Sequence, residues 1–305
     1  MKNIQADIKS GNFKQVYLLY GEEAYLKQQY KKNLVKALNP DGDTMNFNHY
    51  EGKGIDVKQL IDLCETMPFF AERRVVLLED TGFFKNKCEE LADYMKELPD
   101  YLYLVFAETE VDKRNRMYKA VKSCGSIAEF IRQDEKTLMR WAAGILGKAG
   151  KKITQRDMEL LLTKTGTDMG NLRMEMEKLI SYTEGRDVVT AEDIEEICTT
   201  QTTNRIFDMV RAVTEKNQKR ALELYYDLLT LKEPPMRILF LLAKQYRQLL
   251  LAKQFAAAGL AQTEIASKLG VPGFVVRNIT TCARAYTISE PVSYTHLTLP
   301  TICSV

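Results

Sequence analysis

Five short runs rich in apolar and β-branched residues, separated by stretches with helical periodicity, fill the first 133 residues, and then such runs stop. They are VYLLY at 16–20, NFNHYEG at 46–52, RVVLLED at 74–80, YLYLVFAE at 101–108 and SIAEF at 126–130. Helical stretches lie between them, most clearly at 23–38 and in the amphipathic segment 57–67. Parallel neighbours in a sheet need a crossover long enough for a helix, so this alternation predicts βαβ units. Continuous runs such as VVLL predict a mostly parallel sheet covered on both faces.

After Asp134 the periodicity is helical. Leu138, Trp141, Ala142 and Leu146 share one face, as do Met158, Leu161 and Leu162, and then Leu172, Met176 and Leu179. Thr190 followed by Asp193 three residues later is a helix-start signal. A second helical block begins near Asn204, with a helix at 218–229 that ends before Glu233, Pro234 and Pro235. The expected fold class is α/β plus all-α: a parallel-sheet domain at 1–133, then helical domains at 134–206 and 207–290. Phe207, Leu222, Leu224, Leu228 and the apolar run 239–242 are expected in the core of the last domain.

The charge is spread unevenly. Residues 209–290 carry 12 Lys and Arg against 6 Asp and Glu, while the whole chain has a net charge of only +2. The chain is thus no general polyanion binder, and its last third is expected to meet an acidic surface. The start has no apolar core that could serve as a signal peptide. The most apolar helix, 236–255, is interrupted by Arg237, Lys244, Arg247 and Lys253, so no membrane span is expected. Six scattered cysteines with no C-x-x-C pair point to reduced thiols in a cytoplasmic protein. The two histidines are His49 and His296. A Ser/His/Asp or Cys/His centre would have to rest on His49, which reads as a strand residue. No catalytic residue, metal site or cofactor is expected.

A phosphate-binding loop requires G-x-x-x-x-G-K-[ST] between a strand and a helix. After VYLLY stands GEEAYLKQ, residues 21–28. Gly21 and Lys27 fall in register, but Leu26 replaces the second glycine and Gln28 the hydroxyl that would hold magnesium. Glu22 and Glu23 would repel a triphosphate. Glu79 and Asp80, at the end of the run 74–80, would then have no nucleotide–metal complex to hold. The scaffold is that of an ATPase without its ATP site.

The segments VYLLYGEEAYL, TMPFFAERRVVLLED, VDKRNRMYKAV, NLRMEMEKLISY and RIFDMVRAVTEKNQKRALELYYDLL, in this order and spacing, are similar to the delta subunit family of the bacterial DNA polymerase III clamp loader. The resemblance runs from about residue 3 to residue 290. It implies an AAA+-like first domain without nucleotide chemistry, a helical lid domain at 134–206 and an oligomerising collar at 207–290. The implied function is binding and opening of the DNA sliding clamp, as a non-catalytic subunit of a DNA-directed DNA polymerase complex (a nucleotidyltransferase). The implied partners are the clamp, the delta-prime and tau/gamma ATPase subunits and, through the complex, primer–template DNA. Family collars continue with further helices. Here residues 291–305 carry no charge and VSYTHL resembles a translated sequencing adapter, so a truncated collar with a non-native tail is expected.

Met67, Pro68, Phe69 and Phe70 lie between the amphipathic helix and the strand at 74. Pro68 stops the helix, leaving both phenylalanines in a short turn. Either they staple helix to sheet or, as the resemblance implies, they insert into the clamp. Adjacent phenylalanines in one turn do not easily both point inward, which favours the contact. Lys113, Arg114, Arg116, Lys119 and Lys122 read as a basic helix, either a solvated face or a contact for DNA or a partner subunit. Residues 262–279 read like a helix-turn-helix, with Ala266, Leu269, Gly270 and Val276 in packing and turn places. They support the rival reading, a DNA-binding regulator. Against it, Pro272 and Gly273 open the second helix, which offers Arg277 and Asn278 but few other base-reading side chains.

Overall fold

The computed structural model describes residues 2–199, 202–215, 217–271 and 273–284. The chain divides into two compact units, Met1–Gln133 and the part from Asp134 onward. In the first, α1 (Lys2–Ser10), β1 (Val16–Tyr20), α2 (Ala24–Leu38), β2 (Phe47–Glu51), α3 (Val57–Glu65), β3 (Arg74–Glu79), α4 (Glu89–Tyr94), β4 (Leu102–Glu108), α5 (Arg116–Cys124) and β5 (Ser126–Glu129) follow one another. The strands form one parallel sheet in the order β2-β3-β4-β1-β5.

Side chains alternate between the two faces of this sheet, and both faces are packed. Val16, Leu18, Val76, Leu78, Leu104 and Phe106 meet Leu60, Leu91, Met117 and Val121 of α3, α4 and α5. Tyr17, Leu19, Val75, Leu77 and Val105 meet Ile4, Leu34 and Leu38 of α1 and α2. A strand buried on both sides must be apolar at nearly every position, which is why VYLLY and VVLL are so conspicuous. Helix α1 was not expected from the sequence; Ile4 ties it to the sheet and Ile8 packs beside it.

The second unit holds α6 (Glu135–Lys148), β6 (Lys152–Ile153), α7 (Gln155–Thr165), α8 (Met169–Tyr182), β7 (Val188–Val189), α9 (Ala191–Ile197), α10 (Thr202–Thr214), α11 (Gln218–Thr230), α12 (Pro235–Ala257), α13 (Gln262–Leu269) and α14 (Gly273–Arg284). No β structure is expected after 134, yet β6 and β7 pair in parallel over two residues each. Pairing that short rests on flanking turns and leaves no periodic trace. Thr190 and Asp193 form a complete capping box at the start of α9.

Two clusters hold the last five helices. Ile206, Met209, Leu224, Leu228 and Ile238 join α10, α11 and α12. Val210, Tyr246, Leu249, Ile265, Val276 and Ile279 join α10, α12, α13 and α14. The expectation of core positions is corrected at two residues: Leu222 and Phe240 are about half exposed, because they lie off the packed stripes of their helices. No described helix is long and apolar enough to cross a membrane. The expectation for residues 291–305 lies outside the described residues.

Candidate functional site: an exposed aromatic turn and a closed phosphate loop

Helix α3 ends at Glu65, and the chain reaches β3 through the turn Thr66–Arg73. Its apolar side chains face solvent: Met67 is 74% exposed, Phe69 56% and Phe70 95%, while Pro68 is partly buried. The two rings meet edge to face with centroids 4.5 Å apart. Phe70 has φ +51°, a left-handed conformation that is unfavourable for a bulky residue unless its surroundings enforce it.

Two buried polar residues bond to the main chain that leads into it. Asn46 accepts a hydrogen bond from the Phe69 N–H through Oδ1 at 2.7 Å and donates to the Phe69 carbonyl through Nδ2 at 2.8 Å. Its Nδ2 also donates to Asp43, an interaction that holds the Asp43 carboxyl below its ordinary pKa. Arg74 donates from Nε to the Thr66 carbonyl at 2.9 Å, from Nη2 to the Met67 carbonyl at 3.3 Å and from Nη1 to Asn48 Oδ1 at 3.2 Å. Sequence reading missed both residues. A polar residue adjoining a strand was the only trace, since each finds its partners through the fold.

The degenerate nucleotide loop is closed. Only Gly21, Glu22 and Glu23 separate β1 from α2, so Lys27 lies within the first turns of the helix and not beneath a loop. Gly21 has φ +125° and lies against the Phe130 backbone. The Glu23 N–H donates to the Phe130 carbonyl at 2.9 Å. Lys27 donates to the Glu108 carbonyl at 2.9 Å, and its burial lowers its pKa. Glu22 pairs with Arg132 at 3.3 Å. At the strand ends Glu79 is held by Lys31 at 2.5 Å and His49 at 2.9 Å, and Asp80 accepts from the Thr109 N–H and hydroxyl. The groups in the phosphate and metal positions are thus each bonded to another part of the first unit. Among the described residues no cluster of His, Cys, Asp and Glu could hold a metal.

The expected basic helix is shorter than expected. Asn115 caps α5, whose first residue is Arg116, so Lys113 and Arg114 precede it. The cap wins because the Asn115 side chain accepts from the Met117 N–H. Lys113 pairs with Glu129, Arg114 with Asp112, and Arg116 with Glu89 and Asp93. Lys119 and Lys122 are exposed on the helix. Three of the five cations therefore meet carboxylates of their own chain.

The helix pair α13–α14 does form, with Gly270 left-handed between them. Its second helix buries Val276 and Ile279 in the core, and Arg277 pairs with Glu135 at 3.8 Å and Glu159 at 3.4 Å. A recognition helix needs a free face, and much of this one is already in use.

The sequence model for the DNA polymerase III delta subunit matches residues 17–130, and the model for the C-terminal domain of that subunit matches residues 203–296. The chain belongs to the DNA polymerase III delta subunit family. It is 26% identical over 301 residues to the DNA polymerase III subunit delta of Bacillus subtilis (strain 168), covering 94% of this chain and 86% of that one. It is 22% identical over 270 residues to the probable DNA polymerase III subunit delta of Aquifex aeolicus (strain VF5), covering 84% and 75%. The solved Bacillus subtilis DNA clamp loader delta protein superposes with a TM-score of 0.64 at 24% identity, over 97% of this chain and 91% of that one. The superposition agrees with the parallel-sheet domain and the helical units described above, and membership of the delta family gives the chain a role in replication of the clamp-loader kind.

Proposed function

We propose that this delta-family chain binds and opens the DNA sliding clamp, with Met67, Pro68, Phe69 and Phe70 as the contact. One observation carries the reading: two adjacent phenylalanines are presented to solvent on a turn whose main chain is fixed by buried side chains. Exposed paired aromatics on a rigid support are what an interface anchor requires, because they bury large apolar area with little loss of side-chain freedom. The closed loop at Gly21–Lys27 supports a subunit that does no nucleotide chemistry and depends on ATPase partners, delta-prime and tau/gamma. In the same reading residues 134–206 act as the lid and 207–290 as the collar that joins those partners, and DNA is met through the assembled complex. Lys119 and Lys122 are the cations best placed for such a contact.

The test is capture of the cognate clamp by the purified chain with and without ATP. Equal capture in both conditions, lost on changing Phe69 and Phe70 to Ala, is the expected result. Capture that needs ATP, or survives the double change, would sink the proposal.

A further inference from the structure

Met67, Phe69 and Phe70 are large apolar side chains in water, and in an unconstrained loop they would collapse onto the nearest apolar surface. They do not, and the reason lies beneath the turn. Asn46 is 4% exposed and Arg74 5%, so both have been taken out of water, which is costly for polar and charged groups unless every hydrogen bond is replaced. The replacements are largely main-chain groups of this turn: the Thr66 and Met67 carbonyls for Arg74, and both the N–H and the carbonyl of Phe69 for Asn46. Asp43 and Asn48 complete the set. The residues thus tie the backbone on both sides of Pro68, up to the residue before the left-handed Phe70.

We infer that Asn46 and Arg74 are positioning residues that hold the Phe69–Phe70 turn in its binding-ready form before the partner arrives. The inference rests on the clamp-contact reading and adds a cause to it. An anchor ordered in the free protein does not lose loop freedom on binding, so the advantage appears as affinity.

The experiment measures binding of the cognate clamp to the full chain, with amide hydrogen exchange across Thr66–Phe70 in the free protein. Asn46→Ala should weaken binding about tenfold and speed exchange in the turn. In a Phe69→Ala, Phe70→Ala background the same change should alter any residual binding less than about twofold, because its effect passes through the rings. Asp43→Ala removes the carboxylate that accepts from Asn46 and lies in the field of Arg74; it should act in the same direction more weakly, and it serves if Asn46→Ala folds poorly. Undiminished affinity on loosening the turn, or an Asn46 effect that persists without the rings, overturns the positioning role. Normal clamp binding by the Phe69→Ala, Phe70→Ala protein overturns the contact reading itself, so the two failures are distinguishable.

Discussion

Gly21 lies so close to Phe130 that a β-carbon added at Gly21 would collide with the Phe130 carbonyl and stand 2.9 Å from its nitrogen. The contact joins the end of β1 to the residue just past β5, where a phosphate-binding loop would have to stand open between strand and helix. Together with φ +125° it makes glycine obligatory there. Gly21→Ala should destabilise the first unit by about 2–4 kcal/mol, since neither the backbone angle nor the opposing backbone can yield cheaply. Urea unfolding measures this, and a loss below about 0.5 kcal/mol would mean that the loop is free to move.

The same closure forbids a phosphate cradle. Titration calorimetry with magnesium and ATP should give no heat of binding at micromolar affinity. The Glu23 N–H is bonded to Phe130, Lys27 is bonded to Glu108, and Gln28 stands where a hydroxyl is needed. A measured micromolar Kd would require the Gly21–Lys27 segment to open.

Changing both Phe69 and Phe70 to Ala should separate binding from folding. Each ring entering an apolar pocket contributes on the order of 2 kcal/mol, so affinity for the clamp should fall about a thousandfold. The rings are exposed in the free protein, so unfolding free energy should change by less than about 1 kcal/mol. A stapling role gives the reverse pattern, with easy unfolding and normal binding by the folded fraction.

Glu108, at the end of β4, is 2% exposed. Burial raises the pKa of its carboxyl despite the hydrogen bonds it accepts from the Thr81 N–H and hydroxyl. A carboxyl whose folded pKa lies above its unfolded one favours folding in its protonated form. That contribution is present at low pH and is lost as pH rises through the folded value. Relative to a Glu108→Gln protein, the wild type should therefore gain stability as pH falls from about 8 toward about 4. Unfolding curves of the two proteins across this range decide it, and a constant difference would place the carboxyl in an ordinary aqueous environment.

The sheet was readable because burial on both faces leaves a local mark. Val16–Tyr20 is the strand that the letters predicted, and 74–80 and 101–108 differ from β3 and β4 by one residue at one end. Helix α1 was missed because nine residues with Ile4 and Ile8 hold too little periodicity to stand out, and its place is decided by the sheet it covers. The basic helix was drawn too long because five cations in ten residues look alike in sequence, while Asn115 sets the boundary.

At the aromatic turn, the sequence supplied Pro68, two adjacent phenylalanines and the strand that follows. Those residues determine by local chemistry that the helix stops and a turn begins. They do not determine which way the rings face. That depended on Asn46, 23 residues away from Phe69, and on a guanidinium whose neighbour Arg73 instead stacks over Phe13 and Tyr103. The departures from a phosphate-loop pattern at Leu26 and Gln28 were likewise legible, but the contact of Gly21 with Phe130 was not. Propensity, capping and periodicity act over a few residues and can be read along the chain. Hydrogen bonds and close approaches between distant segments exist only once the sheet has brought those segments together, so tertiary structure alone decided what this chain exposes and what it seals.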